Sequence, residues 1–201
     1  MREEGIRAFV TIELPDPLRR VIGELVDGLW ADSGSAVRWV DPAGVHLTLK
    51  FLGSVAQEQV APVGEAVRAA TRGLAPFCLE SNSLGGFPHL GAPAVIWLGL
   101  SGDAESLLTL QKALEDSLAR LGFQREGRPF HPHLTLGRVK ERASPGERRR
   151  IGRLVASFPS PAPLRFEVSG ISLMRSDLTP QGARYTRLLA HPLKEGSGNG
   201  M

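Results

Sequence analysis

The 201-residue sequence holds one cysteine, Cys78, so no disulfide can close within the chain and no cysteine-based zinc site can form. Cys78 stands in the apolar run Phe77-Cys78-Leu79 and reads as a small core residue rather than a nucleophile. Long apolar runs are lacking as well. Met1 to Pro15 carries Glu3, Glu4 and Arg7, and Glu13 interrupts its one apolar stretch. Neither a signal peptide nor a membrane span is expected there, and a cytoplasmic, reducing location is the simplest reading. Charge of a single sign is scarce too: 24 basic and 21 acidic residues leave a net +3. Such a balance permits a polyanionic partner without demonstrating one.

The residues present suit a globular protein, with 42% hydrophobic and 22% charged residues. This length supports one well-cored domain, or two small lobes sharing a core. Arg7 to Leu14 reads as a strand stopped by Pro15. Asp16 offers an N-cap and Pro17 a first helical position, after which Leu18, Val21, Ile22, Leu25, Val26 and Leu29 recur at helical spacing. Val37-Arg38-Trp39-Val40 suggests a short strand, and Val45 to Leu52 a clear one ended by Gly53. A helix over Gln57 to Thr71 and a strand over Phe77 to Ser83 follow, then a loop through Gly85-Gly86 and Pro88 to Pro93. A similar order then repeats: strand at Ala94 to Leu100, helix at Ala104 to Leu121, strand at Pro129 to Val139, helix at Pro145 to Phe158. Strands at Leu164 to Met174 and Tyr185 to His191 close the pattern.

This order predicts an α+β protein made of duplicated αβ units, with mainly antiparallel sheets facing each other across a central cleft. Residues 1–195 are expected to form a single bilobal domain, and the glycine-rich 196–201 a flexible tail.

One four-residue pattern occurs twice, as His46-Leu47-Thr48-Leu49 and as His133-Leu134-Thr135-Leu136, in equivalent slots of the repeated order. Residues two apart on a strand share a face. His46, Thr48 and Lys50 should therefore point one way, with Leu47, Leu49 and Phe51 turned into a core; His133 and Thr135 repeat the arrangement. Two imidazoles facing one cleft suit cleavage of a cyclic phosphodiester. One neutral His can take a proton from attacking water, and the other, protonated, can donate to the departing ribose oxygen. Thr48 and Thr135 can donate to the non-bridging oxygens, where negative charge concentrates. An unperturbed imidazole titrates near ~6.5, so both protonation states coexist around neutral pH, and the scheme calls for no metal or cofactor.

With Arg7-Ala8-Phe9 at the start and Arg128-Pro129-Phe130-His131-Pro132 leading into His133-Leu134-Thr135-Leu136-Gly137-Arg138, the sequence resembles the two-histidine phosphoesterases. Within them it is most similar to the RNA 2',3'-cyclic phosphodiesterases, also called 2'-5' RNA ligases. The resemblance runs from about Arg7 to His191 and takes in Arg175-Ser176 and Ala183-Arg184-Tyr185. It implies a bilobal fold and hydrolysis of a 2',3'-cyclic phosphate to a 2'-phosphate, with reversible 2'-5' joining as the same chemistry run with a 5'-hydroxyl in place of water. It implies His46 as proton donor to the leaving 3'-oxygen and His133 as the base; the motifs alone, being nearly symmetric, do not assign these roles. The implied partner is an RNA with a 2',3'-cyclic phosphate end, tRNA fragments among the candidates, bound by a monomer.

Arg138 matches a phosphate-contacting arginine of that family, yet it lies an odd step from His133 and should face away unless Gly137 marks a bulge. Lys50 has the right parity for the cleft but also suits an edge-guarding role. His131 shares a face with His133, leaving open a metal site with His46 or a packing role. Phe9, Phe51 and Phe130 are candidates for stacking a base, with core packing the simpler reading of the first two. Arg148, Arg149, Arg150 and Arg153 form a basic helix segment that suits an RNA backbone or plain solvent. Two other readings stand beside the main one: a related enzyme acting on a small cyclic nucleotide, and a nucleotide- or RNA-binding module without turnover.

Overall fold

A computed structural model describes residues 5–179 and 182–194. Among these residues nine strands form two antiparallel sheets. The four-stranded sheet has the order β3-β1-β8-β9, from β1 (Ile6–Glu13), β3 (His46–Val55), β8 (Gly170–Thr179) and β9 (Gly182–Pro192). The five-stranded sheet has the order β2-β6-β5-β4-β7, from β2 (Val37–Trp39), β4 (Phe77–Phe87), β5 (Val95–Gly102), β6 (His133–Val139) and β7 (Arg165–Val168). Four α-helices among the described residues accompany them: α1 (Asp16–Ser33), α2 (Val60–Ala70), α3 (Ala104–Ala119) and α4 (Pro145–Ser157). No helix among the described residues is long and apolar enough to cross a membrane.

The mixed fold with antiparallel sheets follows expectation, but the sheets are not the two halves of the sequence. β2, from the first half, pairs with β6, and β8 returns across the molecule to pair with β1. The expected strand from Leu164 to Met174 is two strands, broken at Ser169, with β7 in one sheet and β8 in the other. Each sheet is thus completed by a segment distant in sequence. The apolar faces of both sheets and the helices join in one continuous core.

Side-chain caps account for the starts of two helices. Helix α4 opens on a capping box, Ser144 Oγ accepting from Glu147 N while the Glu147 carboxylate accepts from Ser144 N at 2.8 Å. Helix α3 is capped by Asp103, whose Oδ1 accepts from Ser106 N at 3.0 Å. Asp16 is not the cap expected of it; it is the first helical residue of α1, and the preceding Pro15 has no side chain with which to cap. The Gly85-Gly86 pair, expected in a loop, lies inside β4. A Cβ on Gly85 would overlap the Trp97 ring, which crosses it from β5. Cys78 is partly exposed rather than in the core. The expected tail, 196–201, lies outside the described residues.

Candidate active site

The two histidine strands begin in the same way. At the head of β3, His46 Nδ1 donates to Gly44 O at 2.8 Å; at the head of β6, His133 Nδ1 donates to His131 O at 2.7 Å. A carbonyl can only accept, so each neutral ring carries its proton on Nδ1 and leaves Nε2 with a lone pair. The Gly44 carbonyl is fixed by a 3-10 turn over Pro42–Gly44, in which Asp41 Oδ1 accepts from Ala43 N at 2.9 Å. The anchoring leucines behave as the pattern requires, with Leu47, Leu49, Leu134 and Leu136 all buried.

Aromatic rings hold each imidazole from the side. His46 stacks on Phe9, centroids 4.6 Å apart, and meets the edge of Tyr185 at 5.0 Å. His133 meets Phe87 edge-on at 4.9 Å, with Trp97 behind it at 6.4 Å. The Trp97 indole can lie there because Gly85 and Gly99 on the flanking strand positions carry no side chain. Sequence reasoning missed Phe87 and Trp97. Their positions follow from the pairing of β4 with β5 and β5 with β6, which no local pattern reveals.

Both strands then depart from regular pleating at the same residue. In β3, Thr48 pairs with Thr11 and Lys50 with Val10, leaving Leu49 without a partner on β1. In β6, Thr135 pairs with Trp97 and Gly137 with Ile96, leaving Leu136 without a partner on β5. The fourth motif residue is therefore a bulge in each case, and the faces exchange beyond it. Arg138 is turned to the side of His133 and Thr135, as a bulge beside Gly137 was expected to do. It stands exposed there, close enough for its charge to act on His133.

The same bulge overturns two expectations on β3. Phe51 is not in the core but 64% exposed on the cleft face, its ring 6.2 Å from that of Phe9. Lys50 neither faces the cleft nor guards an edge: it is buried, with Nζ 2.9 Å from Glu115 Oε2 of α3 and a second bond to Gln124 O. Glu115 also accepts from Gln111 Nε2 and from Glu126 N. This cluster ties the His46 strand to the segment that leads into the His133 strand, and β3 and β6 are in direct contact.

Thr48 and Thr135 are half-buried, and among the described residues neither hydroxyl has a hydrogen-bond partner. Of the basic helix segment, Arg148 is engaged with the carbonyls of Pro93, Lys140, Glu141 and Ala143, and Arg150 with those of Asp32 and Ser33. Those two guanidiniums join elements of the fold rather than await a ligand. No three His, Cys, Asp or Glu side chains converge among the described residues, so His46, His131 and His133 do not form a cluster.

Electrostatics separates two otherwise similar histidines. Burial lowers the pKa of His46, while the Gly44 carbonyl and the Glu13 carboxylate act in the opposite direction. Burial likewise lowers that of His133 and the His131 carbonyl opposes it, but the charges of Arg138 and His131 push it down further. Glu13, paired with His46 across β1 and β3, is well placed for its part. Burial alone would raise its carboxyl; hydrogen bonds from Ser172 Oγ at 2.5 Å and Arg187 Nη1 at 3.1 Å outweigh that and keep it ionised.

Comparison with known proteins agrees with this architecture. The 2'-5' RNA ligase superfamily profile matches residues 14–180. An RNA 2',3'-cyclic phosphodiesterase of Methanothermobacter thermautotrophicus is 34% identical over 181 residues, spanning 90% of this chain and 95% of that protein. One of Thermus thermophilus is 31% identical over 191 residues, 91% of this chain and 88% of its own. Among solved structures, TT0787 of Thermus thermophilus superposes with a TM-score of 0.77 at 27% identity, covering 96% of this chain and all (100%) of its own. LigT of E. coli complexed with 3'-AMP does so with a TM-score of 0.76 at 28% identity, over 95% and 99% of the two chains. A profile match over most of the sequence, on a fold whose two His-x-Thr strands are in contact, places this chain in the 2'-5' RNA ligase superfamily.

Proposed function

We propose that the chain hydrolyses 2',3'-cyclic phosphate ends of RNA to 2'-phosphates, through His46, His133, Thr48, Thr135 and Arg138. The observation that carries the reading is the repeated clamp on the two histidines: each Nδ1 is committed to a carbonyl two residues earlier, so each Nε2 is the free, oriented nitrogen. His133, its protonated form disfavoured by Arg138 and His131, takes a proton from water as the water oxygen attacks phosphorus in line. His46, its protonated form favoured by Glu13, gives a proton to the departing 3'-oxygen. The P–O3' bond breaks, a P–O bond to the water oxygen forms, and a 2'-phosphomonoester and a 3'-hydroxyl remain. Thr48, Thr135 and Arg138 offer donors to the non-bridging oxygens. A 5'-hydroxyl in place of water gives 2'-5' joining by the same proton transfers. No step calls for a metal or cofactor.

In this reading residues 1–195 act as one bilobal unit and a monomer in the cytoplasm, on RNA ends such as cleaved tRNA fragments. The test is incubation of the purified protein, with chelator, with a short RNA ending in a 2',3'-cyclic phosphate. Release of the 2'-phosphate, lost in His46→Ala and His133→Ala, is expected. No product between about pH 5 and pH 8, where an imidazole pair can be half-protonated, would overturn the reading.

A further inference from the structure

The register of β2 on β6 sets Arg38 directly opposite Arg138. Residues directly opposed in an antiparallel pair project from the same face, and like charges so placed destabilise the pair. The face in question carries His133 and Thr135, because the bulge at Leu136 has already brought Arg138 onto it. Both arginines are exposed, and among the described residues neither has a hydrogen bond or an ion pair. The other cross-strand neighbour of Arg138 is Val95 on β5, which supplies no counter-charge. The flanking pairs, Val37 with Val139 and Trp39 with Gly137, supply none either. Two arginines therefore stand opposite each other on this face with no hydrogen-bonded or ion-paired partner among the described residues.

Their order along the sheet gives the arrangement a direction. His133 and Thr135 come first along β6, Arg138 follows, and Arg38 stands one strand farther out, on the edge strand β2. Arg38 thus lies farther from His133 across the sheet than Arg138 does. We infer that Arg38, beside Arg138, binds a second phosphate of the substrate: the phosphodiester immediately upstream of the terminal nucleotide. This rests on the phosphodiesterase reading and sharpens it, since a cyclic mononucleotide has no second phosphate. The favoured substrate class is then an oligonucleotide end, with the RNA leaving over β2, the edge strand of its sheet among the described residues. Arginine suits the task, presenting a planar fork of donors to phosphate oxygens.

The test compares 2',3'-cyclic AMP with a diadenosine dinucleotide ending in a 2',3'-cyclic phosphate, which differ by one phosphodiester and one nucleoside. In Arg38→Gln the ratio of kcat/KM for the dinucleotide to that for the mononucleotide should fall about tenfold, mostly through KM, as expected for loss of one charge-assisted contact. Arg38→Lys should recover part of the ratio, and the salt dependence of log KM for the dinucleotide should flatten by about 0.7 in Arg38→Gln, one single-strand phosphate contact. An unchanged ratio, or equal loss on both substrates, overturns the inference. Binding gives a second readout. Fluorescently labelled dinucleotide titrated into His133→Ala should bind about tenfold more tightly than into the His133→Ala, Arg38→Gln double variant. Equal affinities overturn the inference even if the unaltered chain turns over neither substrate, whereas that lack of turnover would by itself sink only the phosphodiesterase reading.

Discussion

Phe51 and Arg138 occupy the same position on two different strands: each lies five residues after a motif histidine, and each is turned onto the cleft face by a bulge at the fourth motif residue. The pattern written as His-x-Thr-x is thus a structural unit whose last position is unpaired. Its two copies diverge only beyond that point, where one presents a ring and the other a guanidinium. Arg138→Gln should therefore lower kcat/KM on a cyclic phosphate by about 10- to 100-fold, the scale of one charge-assisted hydrogen bond, without loss of stability. Steady-state kinetics beside a thermal melt checks both halves of the statement.

His46 and His133 should act as a unit. Either alanine substitution should cost about 10²- to 10⁴-fold in kcat, and the double variant little more than the worse single one. Additive losses in single-turnover rates would mean that the two imidazoles serve separate steps.

Glu13 favours protonated His46, so its removal should show in the pH profile rather than in binding. With His46 as the acid, activity is lost as pH rises through its pKa, already lowered by burial. Glu13→Gln lowers that pKa further, so the alkaline limb of kcat should move to lower pH while the acid limb, set by His133, stays. An alkaline limb that did not move, or moved upward, would contradict the role assigned to His46.

The Lys50–Glu115 pair is buried, and removing one partner strands the other charge. Lys50→Met should destabilise the fold by about 3–5 kcal/mol, whereas Lys50→Met with Glu115→Leu should recover most of that loss. Urea unfolding of the unaltered chain, of Lys50→Met, of Glu115→Leu and of the double variant provides the double-mutant cycle.

Gly85→Ala should cost about 1–3 kcal/mol through overlap with Trp97, and lower turnover as the indole is pushed toward His133. A variant of normal stability and activity would show that the ring has room to shift.

Much of the site was legible because it is local. Leucines alternating with His and Thr fix which groups are buried, and Leu47 and Leu134 do what the alternation demands. Parity failed one step later: a bulge depends on the partner strand, and nothing in the run Leu49-Lys50-Phe51 announces that β1 will skip a residue. At Arg138 a glycine gave a hint; at Phe51 there was none. Pairing between distant segments was likewise invisible. Ser169 separates two strands that belong to different sheets, yet the run around it reads as one strand. Gly85-Gly86 reads as a loop until the Trp97 ring arrives from the neighbouring strand.

The exchange of strands between the two sheets also fixes when the protein becomes competent. A nascent chain that has emerged through Val139 carries both His-x-Thr motifs and both arginines of the β2–β6 pair. It lacks β8, the second neighbour of β1, and it lacks Tyr185, whose edge packs against His46. The surroundings of His46 are finished by the β8–β9 pair, after a closure spanning most of the sequence, the kind of contact that forms slowly.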